Sequence, residues 1–488
     1  MQQTNKGKTQ FFNDPRINLI DPGEWDKAKK ISINLTDQVS EALGLKPEEL
    51  ELEHPNDPTH GDYSTNIALK HAKKLGRNPR ELAEEYVKKL ESNNELDFCI
   101  DKIEVAGPGF INFHICTGVF IESMLELLDL ESAGGSSLLG GKRIMFEYAH
   151  PNPFKSLHIG HLRNVILGES LIRLLESQGA EVIRVNYQGD VGMHIAKTIW
   201  AMLKLDKADF PDDLDERVAM VAKSYSDGAT AFKEDEKAKA EITKINKKIY
   251  SKEDEEVNKL YELGKQWSMD KFHKIYERLY STFTREYMES ETLEESAKLI
   301  KKALDEGILE ESEGAVIFNG EKYGLDTRVF LNSEGLPTYE GKELGLAYMQ
   351  VRDYGKIDLI IHNVAVEQIS FFKVTFKAEE LLDPENFKGK QYHNVYEFVG
   401  LKSGKMSSRT GNVVLAEDIL DEAEERIAKV VSERAKADPD SPITASDENI
   451  AKVVGIGAVK YSFLNINPRT YLAFDLEASL NFEGNSGP

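Results

Sequence analysis

At 488 residues the chain is too long for one hydrophobic core, so two to four domains are expected, and 40% hydrophobic with 30% charged residues describe an ordinary globular composition. The N-terminus MQQTNKGKTQFFNDPR has no apolar h-region and no run reaches 18 apolar residues, which points away from a secretory signal and a membrane-spanning helix. Two cysteines, Cys99 and Cys116, are too few for a disulfide framework or a thiolate metal site and favour a reducing, cytoplasmic home, while a formal net charge of −23 argues against nucleic acid as a partner unless a basic face is concentrated locally.

In chain order, residues 26–92 read as mostly helical, with DKAKKISINLTDQVSEALG carrying apolar side chains at helical spacing. HPNDPTHGDYS (54–64) is a turn-rich break, and IEVAGPGFINFHI (103–115) alternates like a strand interrupted by Gly-Pro-Gly. These make a small α+β domain over 1–118. A helix and then SAGGSSLLGG (132–141) form a flexible joint. RIMFEY (143–148) is a buried-type strand, HLRNVILGESLIRLLESQG (161–179) an amphipathic helix closed by Gly179, and EVIRVNY (181–187) a second strand. Strand, glycine-containing turn, helix and strand make a βαβ unit, hence a parallel sheet. Its first half is placed at 140–204. Residues 205–325 are mainly long, charged helices whose alternating charges form solvated faces. Strand signals return at AVIFNG, RVFLN, DLIIHNVAV and YHNVYEFVG, and the second half of the sheet domain is placed at 326–400. A loop region follows at 401–450, with helices from 416, and the helical end is 451–488. The expected fold is therefore α/β: a Rossmann-like parallel sheet split by a helical insertion, preceded by the small α+β domain and followed by helices.

The chemistry concentrates in PNPFKSLHIGHLRNV (151–165). A turn between a parallel strand and its following helix lies at the carboxyl edge of the sheet, where open α/β sheets bind ligands. The helix N-terminus there offers free N–H groups to a phosphate. His158 and His161 can donate to phosphate oxygens, and Gly160 lets a flat base approach the backbone. The arrangement suits nucleotidyl transfer, in which an attacking oxygen displaces pyrophosphate from the α-phosphorus of ATP. Taken singly, each histidine reads as a surface or capping residue; the HxGH spacing at this turn is what makes the pair chemical.

HIGH (158–161) resembles the first signature of class I aminoacyl-tRNA synthetases, and FEYAHPNPFKSLHIGHLRN and RVNYQGDVG (184–192) resemble the arginyl-tRNA synthetase version. VGLKSGKMSSRTGNVV (399–414) supplies a counterpart of the second signature, KMSKS: Lys405, Met406, Ser407 and Ser408, with Ser408 where the family carries a second lysine. One cation near the phosphates is thereby missing. Arginyl-tRNA synthetases lacking that lysine resemble this chain in carrying a lysine ahead of HIGH, here Lys155, which would replace it. The resemblance makes His158, His161, Lys155 and Lys405 catalytic, and places His158, Gly160, His161, Lys405, Met406, Ser407 and Ser408 around ATP. Mg²⁺ would arrive with ATP, held by phosphates and water, and no protein metal site is expected.

Arginine is best recognised by carboxylates that accept its planar guanidinium, with a flat side chain beside it. Glu147 ends the strand leading into HIGH. SEGLPTYEGKELGLAY (333–348) resembles the family's arginine-binding segment, in which a tyrosine is followed four residues later by aspartate; Tyr339 and Glu343 occupy those places, one face of a helix at i,i+4. Glu343 lengthens the usual aspartate by a methylene. Asn152 would hold the α-amino or carbonyl group, and Gln368, in HNVAVEQISFF, matches a polar pocket residue.

The resemblance implies an arginine–tRNA ligase whose partners are arginine, ATP and tRNA(Arg), acting as a monomer with no membrane partner. HGDYSTNIAL (60–69) and GPGFINFHI (107–115) look like the family's tRNA-contacting N-terminal domain. Residues 401–450 would then hold the KMSS loop and a stem-contacting region, and 454–488 would begin a helical anticodon-binding domain that stops partway. Binding of ATP and arginine with poor tRNA charging is the corresponding expectation. The other readings from these residues are a non-catalytic tRNA- or arginine-binding paralogue and, disfavoured by the N-terminal domain and the Glu147, Tyr339 and Glu343 set, a synthetase for another amino acid or a smaller nucleotidyltransferase with the same HxGH.

Overall fold

The computed structural model describes residues 32–55, 58–92, 100–118, 138–402, 414–437, 448–481 and 486–487. They fall into two compact units, one spanning Ile20–Gly140 with Ser177–Gly179, the other containing Gly141–Glu176 and Ala180–Pro488.

In the small unit, three helices (Ser32–Leu43, Ile67–Leu75 and Pro79–Glu91) accompany three strands, β1 (Tyr63–Thr65), β2 (Ile100–Ala106) and β3 (Phe110–Ile115), in an antiparallel sheet of order β1-β3-β2. Local sequence sets these elements. Asn78 caps the third helix by accepting from the Arg80 and Glu81 N–H groups, with Pro79 at the first helical position. Leu82, Tyr86 and Leu90 recur on one face of that helix and meet Ile111, Phe113 and Ile115, the inward set of β3. The Gly-Pro-Gly stretch is the β2–β3 hairpin turn: Gly107 and Gly109 both have positive φ, and a Cβ on Gly109 would lie 2.9 Å from the Pro79 carbonyl oxygen. Cys116 is disulfide-bonded, which the reading of two reduced thiols did not anticipate. The joint at 132–141 lies outside the described residues over 132–137.

The large unit is built on β4 (Arg143–Glu147), β5 (Glu181–Gln188), β6 (Arg285–Met288), β7 (Glu310–Ser312), β8 (Ala315–Phe318), β9 (Arg328–Leu331), β10 (Leu359–Ala365), β11 (Gln391–Tyr396), β12 (Val399–Leu401) and β13 (Leu472–Phe474). Five strands form a wholly parallel sheet of order β11-β10-β4-β5-β6. The chain starts in the middle, winds outward through β5 and β6, and returns to build β10 and β11 on the other side. The winding reverses between β4 and β10, and in doubly wound sheets a ligand crevice opens at that point, outside the carboxyl ends. Ile144, Met145 and Phe146 are all buried, as a central strand covered on both faces requires. The helix Tyr339–Tyr354 lays Leu346, Ala347 and Met349 on the face that carries Met145, Val185 and Ile360. Side chains alternate along a strand, so Glu147 and His362 emerge on that same face.

The insertion is helical through Leu214–Glu234, Glu236–Ser251 and Glu255–Arg278, capped by Asp213, Asp235 and Asp254. They share a core with Met193–Met202 through Ile195, Ile199, Val221, Ile242 and Leu260. The stretch 205–325 also contributes β6, the sheet's edge strand. REYM has no apolar run to announce it, and Tyr287 alone is buried. AVIFNG and RVFLN form β8 and β9 of a separate antiparallel sheet, β7-β8-β9, and not part of the parallel one. No helix among the described residues is long and apolar enough to cross a membrane.

Gly228 marks a close backbone approach between the insertion and the helix Met193–Met202: a Cβ there would lie 2.0 Å from the Lys197 carbonyl oxygen. Backbone cannot step aside as a side-chain tip can. Gly228→Ala should therefore destabilise the large unit by about 1–3 kcal/mol or more, read as a lowered denaturant or thermal midpoint; an unchanged midpoint would contradict this packing.

Candidate active site

Leaving β4, the backbone turns sharply: Ala149 and His150 have φ of 80° and 52°. Such conformations in residues with a Cβ persist only when their surroundings hold them, and they cluster at functional sites. Here two asparagines do the holding. The Ala149 N–H donates to Asn164 Oδ1 (2.8 Å) and the His150 N–H to Asn186 Oδ1 (3.0 Å). Asn164 is itself locked to Asn363, which accepts from Asn394 across β10 and β11. This buried amide ladder fixes the reversal point.

The helix Ile159–Ser177 begins inside HIGH. The His158 and His161 rings lie 3.9 Å apart, centre to centre. The Gly160 N–H donates to His158 Nδ1 (3.0 Å), and the His158 N–H donates to His161 Nδ1 (3.2 Å). Each Nδ1 is thus an acceptor, which puts the proton of each neutral ring on Nε2 and leaves two donors for an oxyanion. Burial, then the neighbouring His158, His150 and Lys155 charges, hold His161 well below the ordinary histidine range. Burial and Lys155 likewise lower His158. A Cβ on Gly160 would meet His158 Cε1 at 2.9 Å, so glycine is needed for that ring's position. A cavity of about 850 Å³ opens here, lined by Asn152, His158, Gly160, His161, Gln368 and the half-exposed Phe398, among others.

Lys155 donates its N–H to the Asn152 carbonyl (3.2 Å). Its ammonium is half-buried, 5.8 Å from the centre of the Tyr225 ring, and is not among the groups lining the cavity. Its charge nevertheless reaches the site, since it lowers His158, His161 and also His194, which burial brings to about 4. Burial and Lys197 lower Lys155 in turn. Lys405, Met406, Ser407 and Ser408 lie outside the described residues. The flanks of that stretch are anchored: the Lys402 N–H donates to the Phe474 carbonyl beside the β12–β13 pair, while Val414 accepts from Ile159 N–H and Leu415 bridges His158.

One step behind the cavity wall lies an acidic nest. β4 and β10 place Glu147 opposite His362. Glu147 Oε2 accepts from Gln350 Nε2 (2.7 Å), its Oε1 is 3.2 Å from His362 Nδ1, and His150 Nδ1 is 4.0 Å away. Glu343 Oε1 approaches the same His362 nitrogen at 3.7 Å. One ligating atom from each of Glu147, Glu343 and His362 falls within a common 4.8 Å, close enough to surround a single cation. All three are buried. Burial alone would raise Glu147, but His362, His150 and Gln350 bring its carboxyl below the ordinary range. Glu343 is pushed well above it, first by burial and then by Glu147, Glu379 and Glu289. Glu343 Oε1 and Gln350 Oε1 are buried acceptors with no hydrogen-bond donor among the described residues. A planar group with several N–H donors and a positive charge would satisfy them.

Asn152 accepts from the Gly189 N–H through Oδ1 (3.1 Å), and Gln368 precedes the helix Ile369–Leu382 on the cavity wall. Tyr339, at the first position of its helix, is 69% exposed, with the Lys342 ammonium 4.9 Å from its ring centre; Lys342 in turn pairs with Glu289 at 2.5 Å. His362, Gln350, Gln391, Glu379 and the asparagine ladder were absent from the sequence reading. DLIIHNVAV did carry a signal for two of them, since a His-Asn pair inside an apolar strand has to find partners.

Comparison with known proteins follows the same lines. A family model described as the catalytic domain of class I (R) tRNA synthetases matches residues 125–476, and one for the arginyl tRNA synthetase N terminal domain matches 29–115. Proteins named arginine–tRNA ligase from Treponema denticola and Fusobacterium nucleatum are each 31% identical over 453 and 449 residues, covering 91% of this chain and 75% of theirs. In fold, the chain is similar to the Thermus thermophilus arginyl-tRNA synthetase (TM-score 0.66, 23% identity, 93% of this chain and 79% of that one). The Plasmodium falciparum arginyl-tRNA synthetase gives a TM-score of 0.64 at 18% identity, over 96% and 78%. With a family model over most of its length, relatives at this identity across nearly all of it, and a HIGH turn at the reversal point of a parallel sheet, the chain belongs to the class I arginyl-tRNA synthetases.

Proposed function

We propose that this chain is an arginine–tRNA ligase whose guanidino pocket is the buried nest of Glu147, Glu343 and Gln350, and whose ATP site is the cavity beside it. The observation that carries the reading is the cluster of buried acceptors without donors around two carboxylates, reached by following β4 and β10 two or three residues back from the HIGH cavity. Arginine bridges the two: its side chain runs toward the nest, and its α-carboxylate lies by Asn152 and Gln368.

In the first step an arginine carboxylate oxygen attacks the α-phosphorus of ATP, and the bond to pyrophosphate breaks. In the second, a terminal ribose hydroxyl of tRNA(Arg) attacks the arginyl carbonyl carbon and AMP leaves. The two Nε2–H groups of HIGH donate to phosphate oxygens in a fixed direction, so no reorganisation is needed as charge builds there. Lys155 supplies positive charge from the same side, in place of the lysine absent at Ser408, and Lys405 of the KMSS signature supplies it as well. Tyr339 covers the guanidino side. Mg²⁺ would enter with ATP, held by phosphate and water oxygens rather than by this chain's side chains, and would neutralise phosphate charge. The small unit contacts tRNA, and the enzyme works as a cytoplasmic monomer.

ATP–pyrophosphate exchange across the twenty amino acids, with and without tRNA, tests this reading. Exchange with arginine alone, and only when tRNA is present, is expected. Exchange with another amino acid, or none in any combination, would overturn it.

A further inference from the structure

His362 has an unusual set of neighbours. Its Nε2 is 2.9 Å from Gln391 Oε1, and the Gln391 Nε2 amide donates to Glu379 Oε2. The amide is therefore turned with its oxygen toward the ring, so Nε2 must carry a hydrogen. The other nitrogen, Nδ1, faces Glu147 Oε1 and Glu343 Oε1. Ionised carboxylates only accept. A bare Nδ1 lone pair between two of them would set three acceptors against one another in a buried site. One more proton has to sit among these three groups, either on Nδ1 or on Glu343, and the trio's net charge is −1 in both arrangements.

We propose that the guanidino pocket holds this proton between His362 and the two carboxylates before arginine arrives, and that arginine expels it on binding. The inference rests on the pocket assigned above. Charge balance requires the exchange: a guanidinium between two ionised carboxylates and a neutral imidazole restores the same −1. His362 is thus a positioning residue, a resident partner for the acids that gives way to the substrate.

The remaining titratable groups around the ring do not supply the proton. His150, beyond Glu147, is lowered by burial; His393 on β11 is brought to about 4 by burial; both are neutral near pH 7. Glu379, from the helix Ile369–Leu382, is pushed well above the ordinary carboxylate range by burial, but it meets the ring only through Gln391 and keeps its proton on that side. Phe372 and Phe376, with ring centres 4.9 and 5.2 Å from that of His362, keep water from taking the proton's place.

The test is calorimetric titration of the full chain, in the presence of tRNA, with arginine near pH 7, in buffers of differing ionisation enthalpy. Release of about one proton per arginine is expected, with an apparent Kd that rises by up to about tenfold for each unit by which the pH is lowered while the release is complete. Glu379→Gln should leave the release unchanged, and Glu343→Gln should weaken arginine binding. Arginine binding without proton exchange between about pH 6 and 8 would overturn the proposal while leaving the pocket in place, as would loss of the release in Glu379→Gln. Arginine binding indifferent to Glu343→Gln would instead overturn the pocket assignment itself.

Discussion

Glu343→Gln should lower kcat/KM for arginine by roughly a hundredfold, and Glu147→Gln by as much or more, with KM for ATP nearly unmoved. Removing one partner of a buried, hydrogen-bonded charge pair costs about 2–5 kcal/mol, much of it from leaving the other charge unpaired, and 1.4 kcal/mol is about tenfold. Here the other charge would be the guanidinium, in a nest where both carboxylates are almost entirely out of solvent. Glu147 is the more sensitive position because it already stands ionised, braced by Gln350 and His362. The substitutions are nearly isosteric, so the packing of the helix Tyr339–Tyr354 survives. Selectivity gives a second readout: citrulline has arginine's shape without its charge, so either substitution should narrow arginine's advantage over citrulline. Steady-state exchange kinetics with both amino acids decide the matter, and an unchanged ratio would remove the carboxylates from recognition.

The second large effect belongs to the HIGH pair. His161→Asn should reduce the rate of adenylate formation by about 10²–10³, the usual loss for one preorganised donor to a developing oxyanion, while KM for arginine moves little. The pH profile is a further signature. As neutral imidazoles the HIGH rings would donate through Nε2–H, since each Nδ1 accepts a backbone N–H, and burial holds His161 well below the ordinary histidine value of about 6.5. A lowered value in the folded state means the neutral form persists as pH falls through 6.5, so no loss of kcat should be seen there. Stability has the opposite sense. The unfolded chain takes up those protons first, so stability should decline as pH drops below about 6.5. A kcat that falls with a midpoint near 6.5 would contradict the neutral pair.

The parallel sheet and its HIGH turn were legible because local chemistry encodes them: an apolar strand, HxGH, a helix closed by glycine and a second strand leave little choice of topology. The reversal of winding between β4 and β10 was not, because the strand order beyond one βαβ unit is set by long-range pairing. Glu147 and Glu343 were singled out as well, the first from its place at a strand end and the second from the resemblance of its segment to the family's arginine-binding one. Their meeting point was not. His362, Gln350 and Gln391 come from β10, a helix 200 residues from β4, and β11, and only the register of parallel strands brings them to one nitrogen. β6 escaped because an edge strand needs one buried side chain, Tyr287, and leaves no period to read. Left-handed Ala149 and His150 were invisible as well, since their conformation is imposed by asparagines 15 and 36 residues away. Polar residues that serve backbone geometry carry no sequence period.

The most direct measurement is a crystal structure of the chain with arginine bound. The guanidinium nitrogens should lie within hydrogen-bonding distance of both Glu147 and Glu343, with the α-carboxylate directed toward the two imidazoles of HIGH. Arginine held elsewhere, with the two carboxylates still joined through His362, would contradict the account.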